Sequence, residues 1–515
     1  MAAMTSRPGD AMTAAPSRRA GHAAVIAVVT TGVVALIVRT AAFVFPESIL
    51  WMRENDDGVM FAGTIAMLHG LAPYADFDFV HPPGSLLTLT PFALLGAGTT
   101  EAVGLAGARL LTVAVGVANT VLIGLLLRRF GASAVLIGGG LYAVWGTAVV
   151  TEQTYLLEPY LNLFLLVALF AITFRWRFAP FIAGASLGLA LASKYWAVVD
   201  VVIVGWMIWV AFGRAAFARY VAAGAVTAGL LALPFLFRDP GAMWSLTVTA
   251  QLERGGNEVD LAERADVFSP YLAFPTLREL IPTAASALGV ALLPLVAALP
   301  LIEMGRARRR PGAWSDEAWW GLITLAHAIL LAVASMFFYH YAAWLMAPLA
   351  LSLGAAVGRL RRARVRHLVL AGGLVILMLM AAGDLVRVRP TPSATQLQEW
   401  AAGRECVAGM PSTLVAADRV GADLDHGCPM DVDPLSLGMT LPNAGSLSHR
   451  GLIESDEWQA RWWSYIEGAD AAVITPGQRE WLSPTHAAEF EAAFVQDGTI
   501  GDHELWRRPA DAPAP

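Results

Sequence analysis

Long apolar runs, broken by short polar loops, dominate the chain as far as about residue 385. Runs at about 23–45, 103–127, 133–150, 160–174, 180–193, 197–213, 220–236, 280–301, 319–338, 342–358 and 367–385 reach or approach the roughly 20 residues that cross a bilayer as a helix. Two further apolar segments, about 59–69 and 84–96, are short and are interrupted by Gly70, Pro73, Pro82, Pro83 and Gly84. They predict helices lying at the membrane surface rather than spans. The pattern changes near residue 390, where charge, Pro, Asp and Gly rise. A helical pattern over 394–407, strand-like runs at 413–417 and 471–475, and a turn-rich end around Gly498 and Gly501 before Leu505-Trp506 predict a small α/β domain over 389–515.

Composition agrees. The chain is 57% hydrophobic and 15% charged, where soluble domains carry about 25% charge, so a soluble class is excluded. The arginines set the expected topology, because short cytoplasmic loops carry excess Lys and Arg. Residues 1–20 read as a disordered cytoplasmic tail ending in Arg18-Arg19. The first run lacks a small-residue cleavage site and reads as an uncleaved span, with Arg39 snorkelling to an interface. Placing Arg18-Arg19 inside puts Arg128-Arg129, Arg175 and Arg177, Arg214 and Arg219, Arg306–Arg310 and Arg359–Arg366 inside as well. The expectation is an all-α polytopic protein of the plasma (inner) membrane with about 11 transmembrane helices. Its transmembrane domain covers 21–388, its N-terminus is cytoplasmic, and its C-terminal domain is extracytoplasmic. Outside the cytosol, Cys406 and Cys428 are expected to pair.

This topology gathers the unusual ionisable residues on the outer face: Asp56, Asp57, Asp76, Asp78, His81, Glu152, Glu158, Lys194 and His340. Charges at membrane depth usually face a cavity or one another. Asp56-Asp57 opens a helix-forming segment, so each carboxylate reads either as a helix cap or as a general base. Of 35 basic residues only Lys194 is lysine. It ends an apolar run beside Tyr195 and Trp196, which fits an interfacial anchor, but a compact ammonium there also fits a phosphate. Glu158 precedes Pro159 at a helix start, where an acid suits the helix dipole. His81, before Pro82-Pro83, reads as a turn residue or a phosphate ligand, and His340, between Tyr339 and Tyr341, as an interfacial residue. Arg238, Arg254 and Arg264, in the long outer loop, could pair with phosphate but read first as solvated loop residues. There is no P-loop, GxGxxG or HExxH spacing, so no metal or cofactor is expected, and no nucleic-acid partner.

The order Asp56-Asp57-Gly58, then Gly70-Leu-Ala-Pro73-Tyr74-Ala-Asp76-Phe77, then His81-Pro82-Pro83-Gly84 resembles the first outer loop of the GT-C glycosyltransferases. The groups most similar are the bacterial protein O-mannosyltransferase-like and lipid A aminoarabinose transferase-like enzymes. Glu158-Pro159, Gly188-Leu-Ala-Leu-Ala-Ser-Lys194-Tyr195 and Tyr339-His340-Tyr341 extend the resemblance in order over about 50–350. It implies an inverting enzyme that moves a sugar, mannose- or arabinose-like, from a polyprenyl-phosphate donor to an envelope glycan, lipid or protein hydroxyl. The catalytic base would lie in Asp56 and Asp57. Lys194, with His81, would hold the donor phosphate, although His81 stands where the aminoarabinose transferases often have lysine. Asp76, Glu158 and His340 would contact substrate. The partners implied are the lipid-linked donor, the envelope acceptor and membrane lipid. Two other classes stay open: a transporter or flippase, which predicts broken central helices and inverted repeats, and a non-catalytic assembly protein working through its C-terminal domain.

Overall fold

The computed structural model describes residues 18–256, 259–267, 314–436 and 449–509. Among these, seven helical segments are long and apolar enough to cross a membrane: Gly21–Phe43, Glu101–Phe130, Tyr195–Phe212, Arg214–Leu236, Asp316–Val333, Tyr339–Gly358 and Ala363–Val386. Four shorter apolar helices, Gly84–Ala97, Ala132–Val144, Glu158–Thr173 and Ala179–Ser193, accompany them. The span expected at 280–301 lies outside the described residues.

The first ten helices are α1 (Arg18–Thr40), α2 (Asn55–Leu68), α3 (Gly84–Ala97), α4 (Glu101–Leu127), α5 (Ala132–Val144), α6 (Gly146–Thr151), α7 (Glu158–Thr173), α8 (Ala179–Ser193), α9 (Val198–Phe212) and α10 (Arg214–Leu236). Local chemistry sets several of their starts. Thr100 caps α4 by accepting from Val103 N (3.3 Å), and prolines occupy the first turn of α7 and α8, where their missing N–H goes unused anyway. The break after α8 matters most. Lys194 leaves the helix with extended backbone (φ −156°, ψ 129°), and one 3-10 turn, Tyr195–Ala197, leads into α9.

Three expectations need correction. Arg39 does not snorkel to an interface. Its side chain is fully buried, its Nε lies 2.5 Å from Glu152 Oε2, and it donates to the carbonyl of Ala143 (2.8 Å). Glu152 turns inward and also accepts from Tyr142 Oη (2.6 Å), so the charge is neutralised and hydrogen-bonded where it stands. In the C-terminal region, 413–417 is not a strand. Pro411 starts a helix, Pro411–Ala416, and the first strand is β1 (Val407–Gly409). The helix before it ends at Ala401, short of 407, with Gly403 following at φ +76°.

The C-terminal sheet has the order β1-β2-β4-β3, with β2 at Ala471–Ile474, β3 at Val495–Ile500 and β4 at His503–Arg507. β1 and β2 are parallel, and β4 runs antiparallel to both β2 and β3. Cys406 and Cys428 are disulfide-bonded. This unit shares a core with the first loop: Phe61, Phe79, Leu86, Leu397, Leu414, Val415 and Val473 belong to one buried apolar cluster. Helix α2 packs within protein here, and ten of its residues are buried. Gly58 makes this possible. A Cβ there would sit 2.2 Å from Ser412 Cα, so only glycine lets the helix Pro411–Ala416 lie flush on α2.

Candidate active site

The chemistry-bearing side chains converge at helix breaks. Lys194 leaves the end of α8, Glu158 opens α7, and His340 sits in the 3-10 turn Tyr339–Tyr341 that precedes the helix Ala342–Gly358. Asp56 lies in the first turn of α2. Lys194 Nζ is 2.5 Å from Glu158 Oε1, and both side chains are buried. Glu158 Oε2 faces His340 Nδ1 at 3.2 Å, and His340 Nε2 faces Asp56 Oδ2 at 3.7 Å. Four ionisable groups from four separate stretches thus form one line. Tyr341 lies beneath the ammonium, whose Nζ is 4.2 Å from the ring centroid. Desolvated contacts of this kind add cation–π attraction.

The structure divides the acidic pair. The Asp56 side chain is 41% exposed. Asp57 is fully buried, accepts from Arg109 Nε (2.9 Å), pairs with Arg109 Nη2 (2.8 Å) and accepts from the Thr154 hydroxyl. Arg109 also donates to the carbonyls of Ile49 (2.6 Å) and Trp51 (2.7 Å), fixing the chain that enters α2. Glu54 holds the opposite side. Its Oε2 accepts from Tyr339 Oη (2.5 Å), which ties the His340 turn to the start of α2. Burial, together with the Asp56 charge, raises the Glu54 carboxyl above its ordinary value, against the lowering effect of that tyrosine bond.

Behind Lys194 lies a largely apolar cavity of about 430 Å³, lined by Val80, Val198, Val199, Leu252, Leu330 and Met336 among others. Lys194, His81, Arg254 and Tyr341 also line it. The Arg254 Nε is buried and has no hydrogen-bond partner among the described residues. An unpartnered buried donor is costly, so this group is open to an anionic oxygen. Burial, then the charge of Lys194, pushes the His81 imidazole down to about 3, so at neutral pH it is an uncharged hydrogen-bonding ring. The turn carrying it is locked, because Tyr74 Oη donates to the His81 carbonyl (2.8 Å). Gly84 packs the same turn on Lys194's helix: a Cβ there would lie 2.6 Å from the Ala192 carbonyl oxygen.

A second, more polar cavity of about 540 Å³ lies between the first loop and the C-terminal unit, lined by Asp76, Asp78, Asp431, Arg461, Ser464 and Tyr465 among others. Asp76 is exposed and accepts from Ala72 N (2.7 Å), stabilising its own turn away from Lys194. Asp78 faces Arg461 at 3.8 Å. Beyond Asp431 the chain reaches Asp433, whose carboxyl is raised chiefly by burial, with the Asp56 charge adding to that and Arg254 opposing it.

Of the sequence's candidates, Asp56, Lys194, Glu158, His81 and His340 come together. Arg109, Glu54 and Asp433 are not among those candidates, and Arg254, one of three loop arginines that could meet a phosphate or only solvent, lines the cavity. Arg109 did carry a signal, a lone arginine inside an apolar helix. Glu54 stands two residues before Asp56. Asp433 belongs to a unit whose docking no local pattern announces.

No protein-family model matches this sequence, and no curated protein matches it. Solved structures do match in fold. ArnT from Cupriavidus metallidurans bound to undecaprenyl phosphate aligns over 95% of this chain and 98% of its own, with TM-score 0.58 and 13% identity. Its apo state gives TM-score 0.56 at 16% identity, over 95% and 99% of the two chains. The archaeal oligosaccharyltransferase AglB from Archaeoglobus fulgidus, in complex with an inhibitory peptide and a dolichol-phosphate, aligns over 95% of this chain and 75% of its own, with TM-score 0.53 and 13% identity. The architecture of helices, first loop and C-terminal unit is therefore a fold shared with ArnT and AglB.

Proposed function

We propose that the protein is an inverting glycosyltransferase that moves a sugar from a polyprenyl-phosphate donor to a hydroxyl of an envelope glycan, lipid or protein. The observation that carries this reading is the Lys194–Glu158 pair at one end of an apolar cavity, joined through His340 to the half-exposed Asp56. A lipid-linked phosphate needs that combination of an apolar channel and a cationic end. ArnT, which shares the fold, holds undecaprenyl phosphate. Lys194 and Arg254 take the donor phosphate, with His81 as an uncharged partner. Asp56 removes the acceptor proton, the freed oxygen attacks the anomeric carbon, and the carbon–oxygen bond to phosphate breaks. Cations fixed at the leaving oxygens lower the barrier by stabilising charge as it develops. Asp57 holds the base in place. The polar cavity between the first loop and the C-terminal unit is assigned to the acceptor.

The topology follows the same reading. Seven long helices and the shorter α5, α7 and α8, with the apolar run of the sequence at 280–301, are read as eleven spans, with basic loops inside and the C-terminal unit outside. The sugar is taken to be mannose- or arabinose-like. The test is transfer in membranes from a panel of radiolabelled polyprenyl-phosphate sugars to native envelope acceptors, comparing wild type with Asp56→Asn and Lys194→Ala. Transfer of one sugar by wild type and its loss in both folded variants supports the reading. Normal transfer by Asp56→Asn overturns it. Donor crossing the bilayer without transfer would point to a flippase.

A further inference from the structure

We propose that His340 is a proton relay for Asp56, taking the proton at Nε2 while the Glu158–Lys194 pair stabilises its imidazolium, an inference that rests on the glycosyl-transfer reading. The geometry is that of an imidazole held between two carboxylates. Nδ1 faces the buried Glu158 Oε2 at 3.2 Å, and Nε2 faces Asp56 Oδ2 at 3.7 Å. Neither Glu158 Oε2 nor His340 Nδ1 has an aligned hydrogen bond among the described residues. Two buried polar atoms thus face each other with their bonding capacity unused, and contacts of this kind in catalytic sites tighten when substrate binds. The ring has little freedom. It stacks on Phe338 (centroids 5.9 Å apart, planes 15° apart) and meets the Tyr341 ring edge-on at 4.6 Å. The neighbouring Tyr339 is anchored to Glu54. Besides Asp56 and Glu158, the charged or titratable groups around it are Lys194 and His81 on the cavity side, Glu54 through Tyr339, Tyr341, and Arg254 over the Phe338 ring.

A role in substrate contact alone would leave the Glu158 side of the ring unexplained. The relay accounts for both nitrogens. As the acceptor oxygen bonds to the anomeric carbon, its proton passes to Asp56, and the electron pair of the breaking carbon–oxygen bond leaves on phosphate. Asp56 then hands the proton to His340 Nε2, while Glu158 stabilises the imidazolium through Nδ1–H. The proton returns to solvent through the half-exposed Asp56 once product has left, so protons and charge balance over the cycle. Glu158 also serves Lys194. When donor phosphate draws on that ammonium, more of the Glu158 charge is free to act on His340, which couples donor binding to base strength.

The test uses the full-length protein with the donor identified by the transfer assay. His340→Gln keeps a polar amide but carries no proton. Its kcat is expected to fall about 100-fold or more, the range of a lost proton-transfer group, with donor KM within about threefold of wild type. The acid limb of its kcat profile should lose the contribution of a second titrating group. His340→Ala should regain rate with added imidazole. Retained polyprenyl-phosphate binding by His340→Gln shows that the variant is folded. If His340→Gln transfers within about threefold of wild type with an unchanged profile, or if the defect lies in KM and imidazole restores nothing, the relay is overturned while the transferase reading stands. If wild type transfers no sugar, the transferase reading falls and the relay with it.

Discussion

Adjacent residues of a helix point about 100° apart, and that rotation separates Asp56 from Asp57. Asp57 turns into protein and meets Arg109 and Thr154; Asp56 faces the His340 turn and solvent. The two should therefore fail differently when changed. Asp57→Ala leaves the buried Arg109 unpaired and is expected to lower stability by about 3–5 kcal/mol, the usual result of removing one partner of a buried ion pair. Asp56→Asn should leave stability within about 0.5 kcal/mol, as at exposed positions. It should cost transfer at least about 100-fold. Thermal unfolding in detergent beside the transfer assay reads both, and equal stability losses in the two variants would contradict the division. The sequence shows the pair but not the division, because Arg109 and Thr154 lie 52 and 97 residues from Asp57. Lys194 was legible because it is the lone lysine. Arg254 was legible only as one of three loop arginines that could meet a phosphate, since a polar loop gives no sign which of them lines an apolar cavity.

At the scale of elements, hydropathy located the helices well, because a membrane span must satisfy its backbone internally and so runs long and apolar. It failed where a short segment is fixed by docking. Thr413–Ala417 looks strand-like with its Thr and Val, yet Pro411 in the first turn and the face offered to α2 make it a helix. The contact between that helix and α2 gives a sharp expectation. Gly58→Ala must push Ser412 away from a clash at 2.2 Å. The C-terminal unit should then shift relative to Asp56, lowering transfer while the membrane helices stay folded. Limited proteolysis beside the transfer assay checks this: faster cleavage within 389–515 with unchanged cleavage elsewhere is the expected pattern, and a wild-type digest would count against it. The disulfide anchors the start of the segment that carries Asp431 and Asp433. Its cysteines are 22 residues apart, a loop whose closure is worth about 3 kcal/mol in the chain-entropy account. Cys406→Ser/Cys428→Ser should therefore unfold the C-terminal unit at lower denaturant, which tryptophan fluorescence can follow.

For the molecule as a whole, the C-terminal unit is a wall of the site rather than an appendage, since it shares a core with the first loop and brings Asp433 into electrostatic range of Asp56. This position has a consequence for pH. Burial, then the neighbouring Asp433 charge, raises the Asp431 carboxyl to about 7. Burial raises Asp433 to about 6, although Ser436 hydrogen-bonds to it. Both stand above the ordinary 3.8 that they regain on unfolding, so the folded protein holds these protons more tightly. Their contribution to stability is complete below about pH 4. It declines as the unfolded chain gives up the protons, and it is lost as pH rises through 6 and 7. Glu47 and Asp497, whose carboxyls are lowered chiefly by hydrogen bonds, act in the opposite sense below the ordinary carboxylate range, and the lowered His81 imidazole does so up to its ordinary 6.5. Between pH 5 and 8 the two partly buried aspartates should outweigh His81, and wild-type thermal stability should fall across that interval. Asp431→Asn/Asp433→Asn removes the proton uptake while keeping the polar shape. The variant should melt higher than wild type at pH 8, by roughly 2–4 °C for each kcal/mol relieved, with a flatter profile. A wild-type curve that rises from pH 5 to pH 8 would show that the two carboxylates are ionised in the folded protein, and that the segment joining the polar cavity to Asp56 is open to water.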